Sequence, residues 1–270
     1  MMYDKSIVPE IPGAVAGVCT FADVKDKLIP RYGVKRLPDG AESVVVYLFP
    51  YYLGEDVYNN RNVSRYAVPR DYHLVAGGLL ERAADALKKE FPDESFVSFT
   101  DGSPIPEKTA AALAGLGVIG MNTLLINPEY GSFCFIGEVV TTLEIEPTGR
   151  SAGCCEKCGA CVRACPAGAL QNGFEKEKCF SYITQGRALS DGALREAVEK
   201  TGTVWGCDLC QEACPHNAHP ALTKIEEFLN SAVPCFSPED DISDRAYSWR
   251  GRDVIEKNLT FLKQERKDTL

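Results

Sequence analysis

The 270-residue chain has no run of about 18 or more uncharged apolar residues, so no segment is expected to cross a membrane as a helix. It also lacks the look of a secreted protein. The opening MMYDKSIVPEIPG carries charge and no apolar core, which argues against a signal peptide. Basic side chains are in the minority, 29 against 38 acidic, for a formal net charge of −9. There is thus no global field to draw the protein to nucleic acid, and only a local basic patch could serve that purpose. Apolar content is not scarce: 45% hydrophobic and 25% charged residues exclude a disordered chain. What the sequence has in excess is cysteine, 12 in all. The chain is too long for a small disulfide-stapled scaffold. A cytoplasmic, reducing setting is expected, where clustered cysteines mean metal or redox chemistry rather than disulfides.

Cys19, Cys134 and Cys235 are scattered, whereas the other nine fall between Cys154 and Cys214. The chain divides into a cysteine-poor segment to about residue 150, a cysteine-rich segment to about 222, and a polar tail. The first segment reads as mixed α/β. SVVVYLF (43–49) is a continuous β-branched and aromatic run, as expected of a strand buried on both faces. Residues 71–91 place Leu74, Leu79, Leu80, Ala83, Ala84 and Leu87 at helical spacing and stop at Phe91-Pro92. SFVSFT (95–100), TLLIN (123–127) and FCFIGEVVTTLEI (133–145) are strand candidates, and 106–113 is a helix candidate with proline in its first turn.

Cys155, Cys158, Cys161 and Cys165-Pro166 form C-x2-C-x2-C-x3-C-P, the run of bacterial two-cluster ferredoxins. In that geometry three thiolates on a tight turn grip one cubane, and the fourth, on the following helix, ligates the other. Cys207, Cys210 and Cys214-Pro215 repeat the last three positions, with Val204 where the partner of Cys155 would stand. Cys179, between the runs, is the replacement ligand. The spacing therefore predicts two 4Fe–4S clusters. Cys155, Cys158, Cys161 and Cys214 should hold one, and Cys165, Cys179, Cys207 and Cys210 the other. Cys154 is left over. A zinc ribbon also uses paired C-x2-C, but it does not explain two Cys-Pro endings with reciprocal donors.

Gly115-Leu-Gly117-Val-Ile-Gly120 matches G-x-G-x-x-G, the dinucleotide fingerprint. The context is wrong, because the Ala-rich stretch EKTAAALAG precedes it where a strand is required. Gly115 and Gly117 read as a helix C-cap and the turn after it.

Together, SRYAVPRDYH (64–73), DGSPIPEK (101–108), AGLGVIGMNTLLINPEYGSFCFIGEV (114–139) and the two cysteine runs resemble the epoxyqueuosine reductases, cobalamin-dependent iron–sulfur enzymes related to the reductive dehalogenases. The resemblance spans roughly residues 43 to 217. It implies an α+β chain: a nitroreductase-like cobalamin-binding and catalytic domain over 1–147, a ferredoxin-type two-cluster module over 148–222, and a helical tail over 223–270 packing on the catalytic domain. It implies electron flow through the clusters to base-off cobalamin, which reduces epoxyqueuosine in tRNA to queuosine. Asp101 matches the family's proton donor, and opening an epoxide needs one; such an acid needs burial to raise its pKa. Read by itself, Asp101-Gly-Ser-Pro is a turn opener.

By the same matching, Ser64, Asp71, His73, the main chain near Leu125, Ile136 and Val139 should touch the corrin. Without the resemblance, His73 is a polar helix contact and Leu125, Ile136 and Val139 are strand core. Met121 and Lys108 depart from the family's Lys and Arg. The resemblance predicts a short form without the C-terminal helical-repeat domain, with Arg250, Arg252 and Asn258 echoing the family's tail. The implied partners are a ferredoxin- or flavodoxin-type electron donor and tRNA, against which the net charge of −9 weighs. Two other readings remain: the same cofactors acting on a small molecule or another corrinoid protein, and an electron carrier without cobalamin.

Overall fold

Eight consecutive buried residues, Ser43–Pro50, form β2, the centre of the molecule. Both faces of this strand are covered, so its apolar run is continuous rather than alternating. The computed structural model describes residues 2–30, 32–149, 153, 155–187 and 190–268; Cys154 lies outside them. Strand β1 (Val15–Thr20) pairs with β2, β2 with β6 (Cys134–Thr141), and β6 with β3 (Phe96–Thr100), all antiparallel, in the order β1-β2-β6-β3. Helix α1 (Glu55–Tyr58) follows β2, and α2 (Tyr72–Glu90) covers one face of the sheet. Helix α3 (Glu107–Leu113) covers the other. Val45, Tyr47, Phe49 and Val139 pack towards α2, and Val44, Val46, Leu48 and Val140 towards α3.

Asp71 caps α2, its side chain accepting the His73 N–H, and Lys88 and Lys89 lie in the last turn, where the helix dipole favours cations. The buried stripe runs through Val75, Ala76, Leu80, Ala83, Ala84 and Leu87, while Leu74 faces solvent. Helix α3 begins after Pro106, which stands at the cap rather than in the first turn, and ends in a Schellman motif. There Leu116 N–H reaches Ala111 O and Gly115 N–H reaches Ala112 O, with Gly115 at φ +77°. The G-x-G-x-x-G stretch thus terminates a helix and leads into the hairpin of β4 (Val118–Ile119) and β5 (Leu125–Ile126), as its context predicted. Strand β1 went unread in the sequence. Its Gly17 is required, since a Cβ there would stand 2.3 Å from Ala114 O at the end of α3.

The cysteine-rich segment contributes α4 (Ala160–Ala164), α5 (Phe180–Thr184), α6 (Asp191–Thr201) and α7 (Leu209–Glu212). In the tail, residues 223–247, with α8 (Glu226–Leu229), form a strap along the first segment. Thr223 N–H donates to Tyr52 O, Val233 N–H to Val68 O, Asn62 N–H to Pro234 O and Asp71 N–H to Asp244 O. Helix α9 (Arg252–Asp268) packs instead on α6 and α5 of the cysteine-rich segment. Its Asn258 is fully buried and donates through Nδ2 to Thr184 O and Val204 O. One core cluster runs from Tyr47 and Leu80 through Trp205 and Phe236 to Ile255 and Leu259, so all three segments share it.

Candidate active site and cluster cavities

Where the sheet end meets the cysteine-rich segment lies a cleft of about 440 Å³. On the sheet side it is walled by Ser64, Tyr66, Tyr72, Asp101, Phe135 and Ile136, and on the other by Leu170, Phe174, Cys165, Cys179, Cys207 and Cys210. A second, much smaller cavity, about 20 Å³, is lined by Cys155, Cys158, Cys161 and Cys214 with Met121, Asn122 and His216. Asn122 borders both.

Local geometry accounts for the cysteine placement. Gly159, at φ +73°, turns the chain into α4, which carries Cys161 inward; Arg163 Nη1 closes the turn by donating to Cys158 O at 2.9 Å. Helices α4 and α7 pack against each other, which brings Cys214 to the first run. Burial pushes the Cys207 and Cys210 thiols up to about 12, and the nearby Cys179 and Cys165 add to the effect. Two sets of four thiols, each about its own cavity, fit the donor set of two 4Fe–4S clusters.

The cysteine-rich segment is tied to the sheet domain by a buried polar network that the sequence did not reveal. Asp208, inside C-x2-C, accepts from Ser64 Oγ (2.6 Å), Arg65 N–H (2.9 Å) and Arg61 Nη2 (2.9 Å). Arg65 in turn pairs with Glu55 at 2.8 Å and Glu212 at 3.2 Å. Ser64 therefore stands in the cleft wall with its hydroxyl committed to Asp208. Tyr66 OH accepts from Trp205 Nε1 at 2.7 Å.

Asp101 directly follows β3 at the rim of the cleft in a left-handed conformation, φ +55°. Tyr72 OH donates to its Oδ2 at 3.5 Å, and His73 Nε2 lies 3.6 Å from the same oxygen. His73 Nδ1 donates to Asp71 Oδ1 at 2.8 Å. The hydrogen bonds to Asp101 and then Asp71 raise the His73 pKa to about 9. The Asp101 side chain is 55% exposed, so the chain's own side chains do not supply the burial that a proton donor needs. Tyr72 stacks on Phe135, ring centroids 4.3 Å apart, and burial pushes its hydroxyl pKa up. Lys108 also borders the cleft, donating to Thr123 O at 2.6 Å, and burial lowers its pKa.

Of the residues matched to corrin contacts, Ser64 and Ile136 line the cleft. Asp71 and His73 lie beside it around Asp101, while Leu125 and Val139 are buried core outside its lining. The neighbouring Thr123 and Leu124 do line it. Tyr66, Tyr72, Phe135 and Asp208 escaped the sequence reading because they meet only through tertiary packing. The one local hint was an acidic residue between Cys207 and Cys210.

Two family models match the chain: a 4Fe–4S double cluster binding domain over residues 154–217, and "Epoxyqueuosine reductase QueG, DUF1730" over residues 31–102. Among curated proteins, the epoxyqueuosine reductase of Leadbetterella byssophila is 32% identical over 247 residues, covering 87% of this chain and 81% of that protein. The epoxyqueuosine reductase of Gloeobacter violaceus is 37% identical over 214 residues, covering 78% of this chain and 66% of that protein. The crystal structure of an epoxyqueuosine reductase with a tRNA-Tyr epoxyqueuosine-modified stem loop superposes with a TM-score of 0.76 at 25% identity, covering 96% of this chain and 78% of that one. The chain belongs to the epoxyqueuosine reductase family of iron–sulfur oxidoreductases.

Proposed function

We propose that the chain is a cobalamin-dependent epoxyqueuosine reductase, converting the epoxide of epoxyqueuosine in tRNA to the alkene of queuosine. The net reaction takes up two electrons and two protons and releases water. The observation that carries this reading is that Asp101 and four cysteines, Cys165, Cys179, Cys207 and Cys210, face one cleft. In this reading those four hold one 4Fe–4S cluster in the cleft wall, and Cys155, Cys158, Cys161 and Cys214 hold the other behind it. Cobalamin bound in the cleft supplies a strong low-potential reductant next to the substrate. Ser64, Ile136 and the main chain at Thr123 and Leu124 border the space for the corrin, and Tyr72 and Phe135 give it an apolar wall. Protonated, with Nδ1 and Nε2 turned to Asp71 and Asp101, His73 would have no free lone pair to offer a metal. Asp101 delivers a proton to the oxygen freed from carbon, and His73 and Tyr72 hold its carboxyl at the rim.

Residues 1–147 then form the cobalamin-binding domain and 148–222 the cluster module, with 223–270 closing over both. The tRNA substrate is supported by the stem-loop complex of the relative at 25% identity, and a tRNA enzyme of this kind belongs in the cytoplasm. The electron donor is of the ferredoxin or flavodoxin type. The net charge of −9 favours one competing reading, the same cofactors acting on a small molecule or on a corrinoid protein.

Anaerobically reconstituted protein, loaded with cobalamin and given a chemical reductant, should convert an epoxyqueuosine stem loop to queuosine, read by nucleoside mass spectrometry. Asp101→Asn should lower turnover by about 100-fold or more while both clusters still reduce. A fully loaded protein that leaves the stem loop untouched sinks the tRNA reading. One that takes up clusters but no cobalamin sinks the cofactor reading.

A further inference from the structure

The turn that presents Asp101 is built from two successive left-handed residues, Asp101 at φ +55° and Gly102 at φ +58°. Such a turn is unfavourable for a non-glycine residue and persists only where its surroundings hold it. Gly102 N–H donates to Asp101 Oδ1, a bond within the turn that cannot fix the turn to anything else. Tyr72 and His73 reach the Asp101 carboxyl and Ile29 N–H reaches Pro104 O at 2.7 Å, and the tie to the sheet comes two residues on. Ser103 is buried, its Oγ accepts the Ile105 N–H at 3.1 Å and donates to Glu138 Oε2 at 2.5 Å. Ile105 is itself fully buried against the α3 face of the sheet.

Glu138 sits in the middle of β6, opposite Val46 on β2 and Phe99 on β3, and is fully buried. A carboxylate is an expensive choice for that position. The titratable groups facing it are Glu107 from α3 and Cys19 from β1, whose thiol burial pushes up to about 12; neither compensates an anion. Arg36 lies over the Phe99 ring with its guanidinium donating to Ser98 O, so it is committed elsewhere. Among the described residues Glu138 Oε1 has no hydrogen-bond partner. Among the described residues, the one hydrogen bond that the carboxyl makes is to Ser103.

We propose that Glu138 is a positioning residue for Asp101: through Ser103 it pins the 101–105 turn to the sheet and so fixes where the acid stands in the cleft. This rests on reading Asp101 as the proton donor. Burial and the facing Glu107 raise the Glu138 pKa well above the usual carboxylate range, so the group acts as a neutral acid. Its ionisation at alkaline pH would set an uncompensated charge beneath the turn and loosen it.

The test reads the turn without relying on turnover. In the holoprotein, exchange of the Gly102, Ser103 and Ile105 amide hydrogens should rise by about tenfold or more in Glu138→Leu, and kcat should fall similarly at little-changed KM. Glu138→Gln, which keeps the shape and an acceptor for Ser103, should retain wild-type protection and kcat. After correction for intrinsic exchange, the wild-type turn should lose protection at alkaline pH and Glu138→Gln should not. Ser103→Ala removes the same bond from the turn side and should reproduce Glu138→Leu even if the latter folds poorly. Protection retained in Ser103→Ala, equal loss in Gln and Leu, or lost protection with unchanged kcat overturns the proposal. Activity surviving in Asp101→Asn would instead sink the proton-donor reading, and the exchange result would still decide whether Glu138 holds the turn.

Discussion

At the residue scale, His73 is the titrating group that couples the cleft to pH. It is held between Asp101 and Asp71, which raise its pKa to about 9. A raised histidine pKa stabilises the fold fully below the unfolded value of about 6.5, and that contribution is lost as pH rises through about 9. An NMR titration of the His73 ring should therefore find its midpoint near 9, falling in both Asp71→Asn and Asp101→Asn. A wild-type midpoint below 7 would show that the Asp71–His73–Asp101 contacts do not form in solution. Asp208 is the second residue on which much depends, because three donors converge on its buried carboxylate. Asp208→Ala leaves the Ser64 hydroxyl and the Arg65 N–H without their acceptor while Arg61 keeps Glu212, and should cost about 2–3 kcal/mol, measured by chemical denaturation of the holoprotein. A loss below about 1 kcal/mol would mean that the network is solvated rather than buried.

At the scale of elements, the Asn258 amide joins α9 to two backbone carbonyls of the cysteine-rich segment. Asn258→Leu leaves the Thr184 and Val204 carbonyls unpaired in a dry interface and should cost about 2 kcal/mol or more, seen as a lower Tm. An unchanged Tm would show that these two hydrogen bonds contribute little to the fold. The elements also show what the chain discloses before it folds. Strand β2 and helix α2 are legible because their patterns are local: one is covered on both faces, the other buries a stripe at helical spacing and carries its own cap. Strand β1 is not, because its glycine answers to a carbonyl at the end of α3, nearly a hundred residues away in sequence. Leu74 falls outside the buried stripe of α2 for a similar reason, since β3 and β6 of the sheet decide which side of that helix is covered. Cluster chemistry could be read from the two cysteine runs because ligand spacing is fixed by the cubane itself. The tyrosines of the cleft and the Asp208 network could not, since they join positions from about thirty to well over a hundred residues apart.

At the scale of the whole molecule, the clusters and the core should be energetically inseparable. Trp205 is fully buried two residues before Cys207, and its carbonyl accepts the Ser64 N–H. The other tryptophan, Trp249, is 59% exposed. Stripping the iron with a chelator under reducing conditions should red-shift the fluorescence of Trp205 and lower the Tm, because metal binding that requires the folded state contributes to folding. A chelated protein with unshifted emission would show that the cysteine-rich segment keeps its packing without iron.

The strap has a further consequence, one of timing. A ribosome has delivered every strand of the sheet by residue 141, yet the backbone N–H groups of Asn62, Ser64 and Asp71 find their partners only at Pro234, Trp205 and Asp244. At ordinary elongation rates the intervening stretch takes roughly 5–20 s to emerge. During that interval all eight cluster cysteines come out while the strap that ties down the first segment is still missing. The nascent chain therefore presents its cluster cysteines to the machinery of cluster delivery before the strap at 223–247 can fasten the first segment.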